Sequence, residues 1–370
     1  MNASLPSIER VEARAWIVPT DAPEADGTIA WDSTTVVTVQ VGAGDACGIG
    51  YTYGHAGIAA LIAKPLRGCL VEHDPDDIPG AWQRMNRALR NIGRPGVGLM
   101  AIAAVDHALW DLKARLHHVS VVDLIGAARE RVPVYGSGGF TSYTIERLQK
   151  QLGGWVDEGI DHVKMKVGTH SDDDPARVHA AREAIGAQAA LMVDANGAYT
   201  PRQALAQASR FAEDDVCWYE EPVSSDDLEN LAWLRRRLPA SMALAAGEYG
   251  WDDWYFRRML QAGAVDVLQV DGTRCGGFSG FLRAAALAHA HGTPVSAHCA
   301  PTLHAHVCTT LDNVISIEYF HDHTRIESMF FDGLPELRGG ALVVDRDRSG
   351  LGLTLKMADI ADYEVHVDAR

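Results

Sequence analysis

The sequence has few of the features that mark membrane, secreted or nucleic-acid-binding proteins. Its 33 basic residues are outnumbered by 49 acidic ones, and the formal net charge is −16, which argues against a broad surface for nucleic acids or anionic membranes. No uninterrupted apolar run approaches the length of a membrane span, and the N-terminal residues lack the apolar core of a signal peptide. We therefore expect a cytoplasmic protein without a membrane or nucleic-acid partner.

Several short motifs are also absent. The six cysteines are scattered without a CxxC pair, which indicates reduced thiols and no zinc cluster. Gly42-Ala43-Gly44 lacks the third glycine of a dinucleotide-binding fingerprint, and no Walker sequence occurs. With 370 residues the chain is long enough for a large α/β domain and a smaller companion.

The N-terminal part, residues 1–125, has the pattern of an α+β unit. Residues 8–18 and 34–41 are rich in β-branched residues in near alternation, which predicts two strands, and the segments 19–32 and 48–55 are predicted to be loops. Residues 78–116 show helical periodicity. The last segment, residues 341–370, has the pattern of strand fragments, and we expect it to pack back on the N-terminal unit.

Between residues 126 and 340, short apolar runs alternate with longer helical stretches. Such repeated βα units predict a (β/α)8 barrel of the TIM type, here with an N-terminal α+β capping domain completed by the C-terminal segment. The eight runs are Val132–Tyr135, His162–Lys166, Leu191–Asp194, Cys217–Glu220, Ala243–Glu248, Val267–Asp271, Pro294–His298 and Val314–Glu318.

The ends of these runs carry ionisable residues, and a barrel of this type builds its active site at the C-terminal ends of its strands. From the second run to the eighth, these residues are Lys164 and Lys166, Asp194, Glu220, Glu248, Asp271, His298 and Glu318.

Asp194, Glu220 and Glu248 come from three consecutive units. Three carboxylates at one end of a barrel repel one another unless a cation lies among them. Oxygen-only ligands are those that Mg²⁺ prefers, so we expect one Mg²⁺ ion per subunit. Acidic residues at helix starts can instead be simple caps. This alternative is disfavoured because three acidic residues occur in successive units and face lysines.

Nitrogen bases flank these carboxylates in the chain. Lys164 and Lys166 point to the same side of a strand, and we expect each to lower the pKa of the other. Asp271 can accept a hydrogen bond from His298 and fix its tautomer. Bases on both sides of a metal-bound ligand suit removal of a proton α to a carboxylate. We expect Glu318, in its protonated form, to donate a hydrogen bond to that carboxylate.

The motifs, taken in order, resemble one family. Lys-Met-Lys at 164–166, Val-Asp-Ala-Asn at 193–196, Tyr-Glu-Glu-Pro at 219–222, Gly-Glu at 247–248, Gln-Val-Asp at 269–271 and Ser-Ala-His at 296–298 are similar to those of the mandelate racemase branch of the enolase superfamily. The resemblance covers nearly the whole chain, and a lysine or histidine base working with Mg²⁺ is the chemistry of that superfamily.

The resemblance implies a role for each residue. Asp194, Glu220 and Glu248 would bind Mg²⁺, Lys166 would be one base with Lys164 assisting, and His298 paired with Asp271 would be the other. Muconate-lactonizing relatives carry a lysine at the end of strand six, where this chain has Asp271, so the histidine type of site is favoured. The resemblance also implies a small-molecule carboxylate substrate and a homo-oligomer.

Two reactions remain open for such a site. One is dehydration of a sugar acid, an aldonate or aldarate, to a 2-keto-3-deoxy acid. The other is a racemase, epimerase or lactone cycloisomerase reaction on a hydroxy acid or acid-sugar lactone. A zinc amidohydrolase would need His-x-His at the end of the first run, where this chain has Tyr135-Gly136-Ser137. A catalytically silent relative is disfavoured because every expected ligand and base is present.

The substrate-binding residues are less clear from the sequence. Aromatic residues in the predicted loops 19–32 and 48–55 are candidates because loops commonly carry binding residues. The candidates are Trp31, Tyr51, Tyr53 and, after the third run, Asn196.

Overall fold

The N-terminal part of the chain is an antiparallel sheet covered by helices. The computed structural model describes residues 5–367. Strands β1, β2 and β3 pair in order, and the short β16 (Glu364–Val365) joins β1 at the edge. The elements are β1 (Arg10–Ala25), β2 (Ala30–Ala43), β3 (Ala46–Tyr53), α1 (Gly57–Leu61), α2 (Ile78–Ala88), α3 (Val97–Leu116) and α4 (Val121–Ile125).

The predicted loop over 19–32 is wrong for most of its length. β1 and β2 run on through it as one long hairpin, with a register shift between Pro19 and Glu24, and only residues 26–29 form the turn. The turn is closed by Asp26, whose Oδ1 accepts hydrogen bonds from the backbone N–H groups of Thr28 and Ile29. This local side-chain cap makes a tight turn possible where proline and aspartate suggested a loop. The predicted loop at 48–55 is likewise mostly strand, since β3 extends to Tyr53.

The tip of this hairpin rests on the barrel. The hydroxyl group of Thr169 donates a hydrogen bond to the carbonyl oxygen of Asp26 at 2.6 Å, and the N–H of Thr141 donates to that of Ala25 at 2.9 Å. A Cβ atom on Gly27 would lie 2.5 Å from the carbonyl oxygen of Ala195, so only glycine allows this close approach. The hairpin therefore covers the mouth of the barrel.

Eight parallel strands close into the predicted barrel. Each pairs with the next along the chain, and the last pairs with the first through Ile317–Phe320 and Val134–Ser137. The (β/α)8 barrel is confirmed, and all eight apolar runs are strands within a few residues of the predicted limits. The strands are β4 (Val132–Gly138), β5 (His162–Lys166), β6 (Ala190–Asp194), β7 (Val216–Glu220), β8 (Ala243–Ala246), β9 (Val267–Val270), β10 (Val295–Ala297) and β11 (Val314–Phe320).

A helix follows each barrel strand and covers it from outside. Several begin with a capping side chain, such as Thr200, whose hydroxyl group accepts a hydrogen bond from the N–H of Gln203 in a capping box. The helices are α5 (Ile145–Asp157), α6 (Asp174–Ile185), α7 (Pro201–Phe211), α8 (Leu228–Arg235), α9 (Asp253–Gln261), α10 (Gly277–Ala290), α11 (Pro301–Thr309) and α12 (His321–Phe330).

Helix α3 joins the N-terminal sheet to the barrel. It is buried on nearly all sides, including at Asp106 and Asp111, which lie off its apolar stripe. Asp106 accepts hydrogen bonds from the N–H and hydroxyl groups of Ser279 on α10, and Asp111 accepts one from the N–H of Ile49 on β3. Buried carboxylates need such partners, so the two aspartates fix the sheet against the barrel.

The C-terminal segment packs on both parts of the molecule. Strand β14 pairs antiparallel with β4 of the barrel, whereas β16 pairs with β1 of the N-terminal sheet. The expected packing on the N-terminal unit therefore holds for the end of the segment but not for its beginning. The elements are β12 (Phe331–Asp332), β13 (Glu336–Arg338), β14 (Ala341–Val343), β15 (Thr354–Leu355), α13 (Met357–Ile360) and β16 (Glu364–Val365). Within residues 5–367, no helix is both long and apolar enough to cross a membrane.

Candidate active site

Three carboxylates meet at the barrel end where the strands finish. Asp194 ends β6, Glu220 ends β7, and Glu248 follows the end of β8. Each side chain offers an oxygen within 4.8 Å of the other two, and all three residues are buried. The register pairs Asp194 directly with Glu220. Because residues in register on neighbouring strands project their side chains to the same face, the barrel brings the predicted ligand set together.

The chemistry of this cluster fits a hard divalent cation. All its donors are carboxylate oxygens, and Oε2 of Glu248 is buried without accepting a well-aligned hydrogen bond, although Nε2 of His298 lies 3.2 Å away. Buried anions at such distances are strongly unfavourable without positive charge among them. A set of carboxylates that leaves positions for water and substrate suits Mg²⁺ better than softer metals.

Lys164 and Lys166 both enter the site from β5. The ammonium group of Lys164 donates to both oxygens of Glu220 at 2.7 Å and lies 2.9 Å from Oε1 of Glu318. That of Lys166 lies 2.5 Å from Oδ2 of Asp194. Burial by itself lowers the pKa of each lysine, but the carboxylates outweigh burial and raise both pKa values. The charge of Lys164 does lower the pKa of Lys166, as expected, but the attraction of Asp194 exceeds this repulsion, so the net shift is upward and not downward.

His298 is held by Asp271, as the sequence predicted. Nδ1 of the imidazole lies 2.8 Å from Oδ2 of Asp271, and Oδ1 of Asp271 accepts hydrogen bonds from the N–H and hydroxyl groups of Thr273, both at 2.7 Å. Burial opposes the charge of Asp271, but the hydrogen bond and charge of His298, together with the charge of Arg274, hold the pKa of Asp271 well below the ordinary value. An ionised carboxylate at Nδ1 keeps that nitrogen protonated and directs Nε2 towards Glu248.

Glu318 is an acceptor in this site and not the protonated donor that we expected. Its Oε1 accepts a hydrogen bond from the hydroxyl group of Ser137 at 2.6 Å, and its Oε2 accepts one from the N–H of Cys299 at 3.1 Å. Burial opposes the charge, but the nearby ammonium group of Lys164 holds the pKa of Glu318 well below the ordinary value. The neighbouring cation was missed because Lys164 lies on β5, far from Glu318 in the sequence but close to it once the barrel closes.

A cavity of about 370 Å³ opens above these residues. Lys166, Glu248, Asp271 and His298 lie in its lining, and so do three of the four predicted substrate-binding residues, Trp31, Tyr53 and Asn196. Tyr51 is different. It is fully buried, and its hydroxyl group donates to Oε1 of Glu327 at 2.7 Å. On β3 Tyr51 precedes Tyr53 by two positions and its side chain packs deeper, so Tyr51 supports the side chains that line the cavity and does not line it itself.

The cavity also contains residues that sequence reasoning missed. His323 accepts a hydrogen bond from the N–H of Ala300 at Nδ1, and its ring stacks on Tyr53 with the centroids 3.5 Å apart. Arg274, three residues after Asp271, lies 3.1 Å from Oε1 of Glu248. Sequence reasoning misses His323 because the predicted eighth run ends at Glu318. The strand continues to Phe320, and α12 then returns His323 to the cavity.

Two family models match the chain. Residues 13–126 match the model for the mandelate racemase/muconate lactonizing enzyme N-terminal domain, and residues 147–360 match the enolase C-terminal domain-like model. The chain is 33% identical to L-talarate/galactarate dehydratase of Salmonella typhimurium over 83% of this chain and 77% of that protein. It is 32% identical to 3,6-anhydro-alpha-L-galactonate cycloisomerase of Streptomyces coelicolor over 93% of this chain and 98% of that protein.

Solved structures agree with these matches. A mandelate racemase/muconate lactonizing enzyme-like protein from Rubrobacter xylanophilus is 50% identical, with a TM-score of 0.95 over 97% of this chain and 100% of that one. A racemase from Streptomyces coelicolor with bound magnesium is 31% identical, with a TM-score of 0.91 over the same shares of the two chains. Both halves of the sequence and the complete fold therefore lead to the same conclusion: the chain belongs to the mandelate racemase/muconate lactonizing enzyme family of the enolase superfamily.

Proposed function

We propose that this enzyme is a Mg²⁺-dependent dehydratase of a sugar acid. It would remove the proton α to the carboxylate, expel the β-hydroxyl group and release a 2-keto-3-deoxy acid. One observation carries the proposal: Lys166 and His298 line the same cavity as Glu248, which belongs to the carboxylate cluster. The dehydratases and the magnesium-containing structure among the relatives support it.

Asp194, Glu220 and Glu248 would hold the Mg²⁺ ion. When held there, the ion would supply positive charge that balances the three carboxylates and would make the proton α to the substrate carboxylate more acidic. The protein contributes the geometry of the cluster. Asp194 is held by its backbone hydrogen bond from Asn196 and Glu220 by the indole N–H of Trp218, so both carboxylates have fixed orientations.

Lys166 is the proposed base for the α-proton. As a neutral amine, its Nζ takes the proton, and the electrons of the C–H bond form the double bond of an enediolate. The carboxylate of Asp194 raises the pKa of Lys166, whereas the ammonium group of Lys164, held between Glu220 and Glu318, lowers it by charge repulsion. A Mg²⁺ ion held by Asp194 would offset the attraction of that carboxylate and so favour the neutral form of Lys166. Glu318 thus acts through Lys164 as a positioning residue.

His298 is the proposed acid for the leaving group. Its Nε2 as imidazolium gives a proton to the β-hydroxyl group while the C–O bond breaks and water leaves. The electrons of the enediolate form the new carbon–carbon double bond, and the resulting enol tautomerises to the keto acid. Asp271 stabilises the imidazolium through its hydrogen bond to Nδ1.

A second candidate is isomerisation, either racemisation or epimerisation at one carbon or cycloisomerisation of an acid-sugar lactone. It is favoured by the two nitrogen bases that share the cavity, because one base can remove a proton that the other replaces. The cycloisomerases among the relatives also support it.

One experiment separates the two reactions. The purified protein is incubated with Mg²⁺ and a panel of aldonates, aldarates and their lactones, in D₂O, and the products are followed by keto-acid derivatisation and by NMR. A dehydratase forms keto acid from at least one compound. An isomerase gives exchange at the α-carbon or an isomeric product without keto acid. If no compound gives keto acid, exchange at the α-carbon or an isomeric product, both proposals are contradicted.

Matched variants assign the result to this site. Lys166→Met and His298→Asn are expected to lower keto-acid formation at least about 1,000-fold, because each removes a proton-transfer group. The exposed residues Lys150 and His289 provide the controls Lys150→Met and His289→Asn, which keep wild-type rates. Full activity in either active-site variant contradicts the assigned roles.

A further inference from the structure

Apart from its charged reaction centre and Asp26, the cavity has a neutral lining. We define the neutral wall by six residues of this lining, which come from the N-terminal hairpin, β3, α3, β11 and α12. The first five have side chains without a charge in the accessible pH range. The neutral wall consists of Ile29, Trp31, Tyr53, Met100, Phe320 and His323.

The sixth residue, His323, is also neutral in this position. Its Nδ1 accepts the N–H of Ala300 at 3.1 Å and therefore carries no proton. Burial lowers the pKa of His323 to about 3. The imidazole is thus a neutral ring with its proton on Nε2 at physiological pH.

The positive groups in the lining are already engaged by carboxylates. Lys166 is paired with Asp194 and His298 with Asp271. The guanidinium group of Arg274 lies 3.1 Å from Oε1 of Glu248 and 3.5 Å from Oδ2 of Asp271.

In the part of the chain that the structure describes, the lining includes no other lysine or arginine, and it adds the carboxylate of Asp26 at the hairpin turn. A substrate carboxylate away from the reaction centre would therefore meet neutral side chains and one anion.

His323 supplies a hydrogen-bond donor in this wall. Its ring is fixed between Tyr53, stacked at 3.5 Å, and Phe320, edge-on at 5.2 Å. Nε2 has no hydrogen-bond partner within residues 5–367, and the residue belongs to the cavity lining with 9% of its surface exposed. A protonated nitrogen held in this way needs a partner, and a substrate hydroxyl group can accept its hydrogen bond.

From these observations we infer that the substrate is a sugar acid with a single carboxylate, an aldonate, whose neutral hydroxylated tail lies against the neutral wall and accepts a hydrogen bond from His323. Aldarates, which carry a second carboxylate at the far end, are excluded because that charge would be buried without a cation. The inference rests on the proposed function and narrows its substrate class.

The test compares aldonates with aldarates of the same configuration, which differ only in a terminal CH₂OH or carboxylate group. The Mg²⁺-loaded protein is assayed with each pair, such as D-gluconate with D-glucarate and D-galactonate with galactarate. For pairs with any turnover, kcat/KM is expected to be at least about 100-fold higher for the aldonate. Equal turnover, or a preference for the aldarate, overturns the inference and leaves the proposed function intact. Absence of keto acid and α-exchange throughout refutes both.

Two sets of variants test the wall itself. Met100→Lys places a cation in the neutral wall and is expected to raise the aldarate-to-aldonate ratio of kcat/KM at least about tenfold, whereas Met100→Leu leaves the ratio unchanged. His323→Phe keeps the ring but removes the donor, and it is expected to raise KM for the aldonate about tenfold with a smaller change in kcat. His323→Gln, which keeps a donor, should recover part of that loss. An unchanged ratio in Met100→Lys or an unchanged KM in His323→Phe contradicts the assignment.

Discussion

The substitution Asp271→Asn is expected to reverse the tautomer of His298. Thr273 directs two donors, its N–H and its hydroxyl group, at Oδ1 of Asp271, both at 2.7 Å. An asparagine at this position must place its single carbonyl oxygen there, and its NH₂ group then faces Nδ1 of His298 at the present 2.8 Å contact. Because an NH₂ group cannot accept a hydrogen bond, Nδ1 must become the acceptor and the proton moves to Nε2.

The size of the effect follows from the lost interaction. The variant loses a charge-assisted hydrogen bond to the imidazolium form and gains a neutral tautomer that is a weak acid. From these two changes we expect a loss of about 3 to 4 kcal/mol of transition-state stabilisation, which corresponds to a decrease of about 100- to 1,000-fold in kcat. KM should change only a few-fold, because Asp271 acts through His298.

The assay is keto-acid formation from the best substrate, with α-exchange in D₂O measured in parallel. If Lys166 removes the α-proton, exchange at the α-carbon persists in Asp271→Asn while elimination slows. Thermal unfolding checks that the variant is folded. A kcat within about threefold of wild type refutes the proposed function of the Asp271–His298 pair.

Three further predictions concern the metal, the lysine pair and the N-terminal hairpin. Chelation with EDTA should abolish turnover and added Mg²⁺ restore it, and Asp194→Asn should raise the Mg²⁺ concentration for half-activity at least about tenfold; activity without divalent metal contradicts the cluster assignment. Lys164→Met leaves Glu220 and Glu318 without their buried partner, so it should lower the free energy of unfolding by about 3 to 5 kcal/mol in urea titrations. Unchanged stability would contradict this role of Lys164. Burial and the charge of Asp322 raise the pKa of Glu24 from 4.5 to about 8, so the folded state keeps a proton that the unfolded state loses, and stability falls as pH rises between these values. Glu24→Gln should flatten this fall when melting temperature is measured against pH. Parallel pH curves for the variant and the wild type argue against this role of Glu24.

The secondary structure of the barrel could be predicted because each strand is a buried apolar run. A strand buried on both faces carries mostly apolar residues until its end, so Leu191–Asp194 and Cys217–Glu220 mark their own limits. The hairpin was harder. Its residues 19–25 include Pro19 and Pro23, which are uncommon in strands. Their strand conformation depends on pairing with β2 and on contacts of the hairpin tip with the barrel.

Charge states within the site could not be predicted from spacing along the chain. The sequence places Lys164 next to Lys166, which suggested repulsion, whereas the barrel places Lys164 between Glu220 and Glu318 from β7 and β11. A pKa depends on all charges within a few ångströms and on burial. Those neighbours come from distant parts of the chain.

The sequence by itself determined the barrel and the order of its functional residues, because strand ends carry the polar groups and parallel strands bring those ends to one side. The tertiary structure alone decided which groups face one another. It placed Tyr51 behind the wall and His323 in it, and it surrounded both lysines with carboxylates. The physical reason is that hydrophobic periodicity is local, whereas burial, ion pairing and cavity shape arise from contacts between residues far apart in the chain.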